Sequence, residues 1–332
     1  MRRISLLATA VAAMMATGGL LPSTSGAAGC MPTGFIRDGM DLTAAQIGGN
    51  VTGTLDATGC NIGVYYDNAH LPGNVTGANI FGANYYGVVV NGDAGSMTVN
   101  VTNSQIHDIG EHPLKGTQHG NAIYYRAFGG TASGTISGNA IWTYQKNGIT
   151  LNGAVSATVS DNTVAGEGPV DYIAQNGIQL GYGAAGSVTG NIVTGNAYTG
   201  LNSASSGGIL VVGGSFFGPD LAYTTNLDIE RNVLAGNDVG VWLANINGAG
   251  QAPSTNTNNT VKFNRIVNNA ITNITGFSFG CGYQAGIADV GHKDLLVNND
   301  ISGMGYANQD CGTAFLRRVD TDSSARGVPS NK

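Results

Sequence analysis

Between Arg37 and Arg231 the chain carries only three basic residues, Lys115, Arg126 and Lys146. Three of its five histidines, His107, His112 and His119, fall in one short stretch that also holds Asp108 and Glu111. Further on come Tyr144-Gln145-Lys146 and the run from Glu167 to Asp171 and Tyr172. These side-chain types suit β-elimination from an acidic sugar. That reaction needs a cation at the sugar carboxylate, a base for the adjacent proton and an acid for the leaving oxygen. Arg126 is expected to neutralise the carboxylate, with Lys146, His119 or Tyr144 as the base. A glycoside hydrolase would instead pair two carboxylates drawn from Asp108, Glu111, Glu167 and Asp171. Sharing of a metal by His107 and His112, or by His112 and His119, with Asp108 or Glu111 matches no standard zinc spacing. Ca²⁺ held by Asp and Glu side chains is equally allowed; no cofactor is otherwise expected. For each residue taken singly, the plain alternative is a solvated loop, since charges belong at surfaces. Grouped on loops over a rigid scaffold, they read as a site.

Tyrosines surround this region: Tyr65, Tyr66, Tyr85, Tyr86, Tyr124, Tyr125, Tyr144 and Tyr172. Flat amphipathic rings beside Asn, Gln and Thr suit sugars, which offer apolar faces and hydroxyl edges; tyrosine is also a good strand former. No Gly-rich phosphate loop, serine nucleophile elbow or zinc-protease motif is present. A sequence pI near 5.2 disfavours nucleic acid. The expected partner is an anionic polysaccharide, as the cations require, and the protein is expected to be a monomer.

Those loops must hang on repeating elements. The pattern Asn, any residue, then Ile, Val or Leu recurs along the chain, and its occurrences at Asn139, Asn162, Asn191, Asn232, Asn264 and Asn299 mark one repeat. Most are followed by Gly-apolar-any-apolar, as in Gly148-Ile-Thr-Leu, Gly177-Ile-Gln-Leu, Gly208-Ile-Leu-Val and Gly240-Val-Trp-Leu. Successive Asn lie 23, 29, 41, 32 and 35 residues apart, so the unit repeats while its loops vary. Such periods mean a stacked solenoid, and short β-rich segments make it an all-β, single-stranded parallel β-helix. Asn tolerates left-handed geometry at the bends, and stacked Asn side chains bond one another along an axis. Fifty-three glycines and a 42% apolar fraction are compatible with one elongated core.

Aligned on the Gly motif, about nine coils start near Gly63, Gly87, Ala122, Gly148, Gly177, Gly208, Gly240, Gly286 and Ala314. Alternation then sends Ile149 and Leu151 inward and Thr150 and Asn152 outward. One outward column reads Tyr65, Val89, Tyr124, Thr150, Gln179, Leu210, Trp242, Ala288 and Leu316. The next reads Asp67, Asn91, Arg126, Asn152, Gly181, Val212, Ala244, Val290 and Arg318. The expected groove brings together His119, Tyr124, Arg126, Tyr144 and Lys146, with Lys115, Asn152, Gln179, Asp171 and Tyr172 as further substrate contacts.

Residues 1–28 have the form of a signal peptide: Arg2 and Arg3, an apolar run from Ile4 to Ala16, and small residues before Cys30. The Arg pair alone carries little of a twin-arginine signal, and no other stretch is long and apolar enough for a membrane span. The mature protein is expected to be secreted, extracellular or periplasmic. Residues 29–319 form the β-helix domain, with 29–50 an N-terminal cap in which Asp41 to Ile47 could be a short helix, and 320–332 a loose tail. An even count of four Cys in an exported chain favours disulfides. Local pairing, Cys30–Cys60 and Cys281–Cys311, would pin the two terminal coils. A faint lipoprotein box at Ala27 to Cys30 is the competitor.

The repeats from Val51 to Val319 resemble the right-handed parallel β-helix superfamily of pectate-lyase-like and Asn-rich repeat proteins. The resemblance rests on the Asn139, Asn162, Asn191 and Asn232 series with its Gly-apolar strands. It implies a right-handed coil. It does not select an activity, because that superfamily holds polysaccharide lyases, glycoside hydrolases, uronate epimerases and proteins with no known catalysis. The Asp-rich polygalacturonase signature and the Asp-Pro-His-Asp of mannuronan epimerases are missing. Two readings stand: an exported polysaccharide-active enzyme, foremost a uronan lyase, or a non-catalytic glycan-binding surface rod.

Overall fold

The structure is a computed structural model and describes residues 29–70, 72–202, 204–273, 284–306 and 318–320. The chain winds as a right-handed parallel β-helix of three sheets. The first sheet stacks the Gly-motif strands: Ile62–Asp67, Tyr86–Asn91, the start of Asn121–Ser137, the start of Asn147–Ser160, Asn176–Gly181, Gly207–Gly213, Val239–Asn245 and Ala285–Asp289. All pair parallel, one coil on the next.

Both outward columns hold in register. Tyr65 lies beside Val89, Val89 beside Tyr124, Tyr124 beside Thr150 and Thr150 beside Gln179, then on through Leu210 and Trp242 to Ala288. Asp67, Asn91, Arg126, Asn152, Gly181, Val212 and Ala244 run alongside. The inward residues Val64, Val88, Ile123, Ile149, Ile178, Ile209, Val241 and Ile287 belong to one continuous buried core. The ninth anchor is corrected. Arg318 sits opposite Ile287, not beside Val290, so that strand is displaced by three residues from the expected alignment. Ala314 and Leu316 lie outside the described residues.

Glycine recurs at the head of these strands because the backbone there grazes its neighbours. A Cβ on Gly148 would meet Val164 Cγ1 at 2.4 Å, and one on Gly177 would meet Val193 Cγ1 at 2.2 Å. Any side chain would displace the facing core residue.

The six repeat asparagines stack in one buried line. Each side-chain amide donates to the Oδ1 of the next, Asn139 to Asn162, then Asn191, Asn232, Asn264 and Asn299, at 2.9–3.0 Å. The same Oδ1 atoms accept the backbone N–H of the preceding coil's Asn. The left-handed residue is one position earlier than expected: Gly138, Asp161, Gly190, Arg231, Phe263 and Asn298 all have positive φ. The bend therefore sits before the asparagine, and the ladder rather than the backbone geometry selects Asn.

The N terminus differs from the expected cap. No helix forms at Asp41; Met40–Ile47 is a strand (β2) and already pairs parallel with Ile62–Asp67. Met31–Arg37 (β1) folds back antiparallel on β2. Phe35 of β1 reaches the outer face of the first sheet, with ring centroids 6.1 Å from Tyr65 and 6.2 Å from Tyr86. This strap explains why Tyr65 and Val89, which point away from the core, are nonetheless buried; Tyr124 packs at its edge, stacked on Tyr86. A Cys30–Cys60 disulfide ties it down. Cys281 and Cys311 lie outside the described residues, as do the proposed signal segment 1–28 and most of the tail. Among the described residues no helix is long and apolar enough to cross a membrane.

Candidate functional site

Beyond the strap, the outer face of the first sheet opens into a cleft of about 210 Å³. Tyr124, Thr150, Gln179 and Asn152 come from the two outward columns; Asn121 and Asn147 head their strands; Lys146 precedes Asn147. Arg37 of the strap, Gln118 and Tyr182 complete the lining. Arg37 Nη2 donates to Gln118 O at 3.2 Å, closing one wall.

The floor is a cross-linked set of polar groups. Asn176 Nδ2 donates to Asn147 Oδ1 at 3.0 Å, Asn147 Nδ2 to Thr150 Oγ1 at 3.0 Å, and Gln179 Nε2 to Asn152 Oδ1 at 3.1 Å. Such a network fixes amide orientation before a ligand arrives. Among the ten lining residues are two cations, Arg37 and Lys146, and no carboxylate, on a chain of net charge −6. Arg37 also faces Asp38 at 3.8 Å, a long exposed contact that neutralises it little.

Lys146 is half-buried, and its Nζ donates to Ala174 O at 2.7 Å. Burial pushes its pKa down to about 8. The neutral amine is thus accessible near physiological pH. Tyr124 stacks on Tyr86 at 5.1 Å, and burial raises its phenol's pKa, so it stays protonated.

The expected groove is only partly assembled. Tyr124, Lys146, Asn152 and Gln179 line the cleft together; the other candidates do not. Tyr144 is corrected. Its side chain is fully buried and its hydroxyl donates to Asn196 Oδ1 at 2.6 Å. The cause is local: Thr143 takes a left-handed conformation (φ 47), which breaks strand alternation and turns Tyr144 into the core. Arg126 points outward as expected but is held by Asp93 at 2.6 Å and lies over the Phe35 and Phe128 rings at 5.0 and 5.5 Å. It is not a free carboxylate clamp.

His119 is 6% exposed and stacked on Tyr85 at 3.8 Å, beside the cleft but not in its lining. Burial pushes its imidazole pKa down against the pull of Glu111 and Asp38. Lys115 is exposed and meets Glu111 at 3.8 Å. The Thr117 hydroxyl holds the Glu111 carboxyl below its usual range. Asp171 and Tyr172 sit on the loop after Thr163–Val170 and are not among the lining residues; burial first, then Glu167 and Asp171, pushes the Tyr172 phenol up to about 12. His107 belongs to another sheet, sandwiched between Phe81 at 5.3 Å and Trp142 at 4.4 Å and bonded to Asp108. Among the described residues no three His, Cys, Asp or Glu side chains group to hold a metal ion.

Sequence reasoning missed Arg37, Gln118, Asn121, Asn147, Thr150 and Tyr182 as lining. A signal for two of them was present: Asn stands directly before the anchor at Asn121-Ala122 and Asn147-Gly148, as it does at Asn176-Gly177.

The fold and its repeats define the class. The chain belongs to the right-handed β-helix family, whose description, "Right handed beta helix region", matches residues 50–217, just over half of the 332. No curated protein matches it. Among solved structures, the Dettilon tailspike protein (gp208) is similar at 15% identity and a TM-score of 0.45. That alignment covers 84% of this chain and 57% of the tailspike, so this chain spans little more than half the tailspike's length. A likeness at that level carries no argument for the site.

Proposed function

We propose that the cleft binds an anionic polysaccharide outside the cytoplasm and that the protein is a uronan lyase. The observation that carries the reading is the lining itself: two cations, no carboxylate, and otherwise amides, hydroxyls and tyrosines, on an acidic chain. Amides and hydroxyls match sugar hydroxyls, tyrosine rings match pyranose faces, and the cations match uronate carboxylates. The Cys30–Cys60 disulfide supports an oxidising compartment.

In the reaction, Arg37 takes the role expected of Arg126 and neutralises the uronate carboxylate, which acidifies the proton on the adjacent carbon. Neutral Lys146 accepts that proton. The carbanion's electron pair forms the ring double bond and expels the glycosidic oxygen. Tyr124, kept protonated by burial, supplies the proton that oxygen needs. The two-carboxylate hydrolase reading finds no support in the cleft, since none of Asp108, Glu111, Glu167 and Asp171 lines it.

A binding-only role is the second reading. It is favoured by the bond from Lys146 Nζ to Ala174 O, which anchors the amine as a fixed cation would be anchored. Assay of the purified protein on polygalacturonate, alginate, hyaluronan and neutral glucans separates the two. Ultraviolet-absorbing unsaturated ends on a uronan establish the lyase; binding without product establishes the receptor. Neither on any acidic polymer refutes both.

A further inference from the structure

The cleft does not end at Gln179 and Tyr182. Phe128 lies two residues past Arg126 in Asn121–Ser137, Tyr182 follows the strand two coils on, and Phe216 and Phe217 follow the next. The intervening coil offers only Gly153 and Ala154 at this place, so the rings of Phe128 and Tyr182 approach to 6.4 Å across it. Tyr182 then meets Phe217 at 6.5 Å, and Phe217 meets Phe216 at 5.3 Å. Phe128, Phe216 and Phe217 are 50%, 57% and 40% exposed. Scattered exposed apolar residues need no explanation, but a row in ring contact does.

Tyr182 belongs both to this row and to the cleft lining. The row advances along the axis from coil to coil, each about 4.8 Å from the last. It is a file one ring wide rather than a broad patch. Resting on the polysaccharide reading above, we propose that Phe128, Tyr182 and Phe217 form a sugar-stacking rail that flanks the cleft and carries it one coil further at Phe217. The ligand is then a polymer lying along the helix axis, with one segment held in the cleft by Arg37 and Lys146. Pyranose rings laid over the rail present their apolar faces to Phe128 and Phe217. The cleft selects charge, and the rail selects chain length.

The probe is a ladder of oligogalacturonates and oligomannuronates from dimer to octamer, titrated calorimetrically into the whole protein and into Phe128→Ala and Phe217→Ala. Both positions are exposed, and a melting curve confirms that each variant folds. Wild-type affinity is expected to rise with length for the uronan that binds. Each variant is expected to weaken the octamer about three- to tenfold, the worth of one aromatic contact, and Phe217→Ala to leave the shortest bound oligomer unchanged. Equal losses at every length in Phe217→Ala, no loss at any length in either variant, or a flat wild-type series overturn the rail and leave the cleft reading intact. So does concentration-dependent dimerisation abolished by Phe217→Ala, which assigns the rings to contact with a second copy. Failure of the wild type to bind any member of either ladder overturns the anionic-polysaccharide reading and the rail with it.

Discussion

Lys146 is the residue on which catalysis and binding make opposite demands. Its folded pKa of about 8 lies below the usual 10.5, so the neutral amine is favoured by the fold. If it is the base, the elimination rate rises with pH through about 8. If it is only a cation for the ligand, affinity falls over the same range. Lys146→Met should lower turnover by about 10²- to 10⁴-fold, the usual worth of a general base, as read by initial rates on the cleaved uronan. Stability follows by linkage. Between pH 8 and 10.5 the unfolded chain holds a proton that the folded chain lacks, so wild-type stability rises with pH in that window and is flat below it. Lys146→Met should flatten the rise and gain about 1–3 kcal/mol at neutral pH, as measured by urea unfolding at a series of pH values. At this scale the sequence was legible where alternation is unbroken, as at Tyr124, Asn152 and Gln179. It misled where one left-handed residue inverts the face, as Thr143 does for Tyr144.

At the scale of elements, the asparagine ladder and the N-terminal strap do different work. Asn191 receives from Asn162 and donates to Asn232, Val159 O and Thr189 O, all in a buried setting. Asn191→Ala would strand Asn162's amide donor and backbone N–H, and should cost about 2–4 kcal/mol, more than one hydrogen bond removed with both partners. Chemical denaturation measures that directly. The strap is held by the Cys30–Cys60 bridge and by Phe35 on the tyrosines. Cys60→Ser should cost about 2–4 kcal/mol and weaken uronan binding as well, because Arg37 leaves the cleft wall with the strap. The ladder was readable from its recurring Asn. The strap was not: a segment lying across the outside of a solenoid obeys no repeat, and so Arg37 was overlooked.

The whole molecule is a rod whose sheets present long columns of equivalent positions, and function is written as departures from equivalence. On the first sheet's outer column, Tyr65 and Val89 are covered by the strap, Tyr124, Thr150 and Gln179 form the cleft, and Leu210 and Trp242 follow beyond it. The repeat made the columns legible to within a residue over eight anchor strands among the described residues; it could not say which stretch lies open, because that depends on the strap and on loops outside the repeat. The central claim is that an acidic sugar chain lies in that open stretch, between Arg37 and Lys146. A crystal structure of the protein with a bound oligouronate tests it most directly. The account predicts a uronate carboxylate at the Arg37 guanidinium, a sugar ring over Thr150 and Gln179, and Lys146 Nζ facing the carbon next to the carboxylate. A chain bound instead on the sheet that carries Trp142, or only at the exposed Lys115, would contradict it.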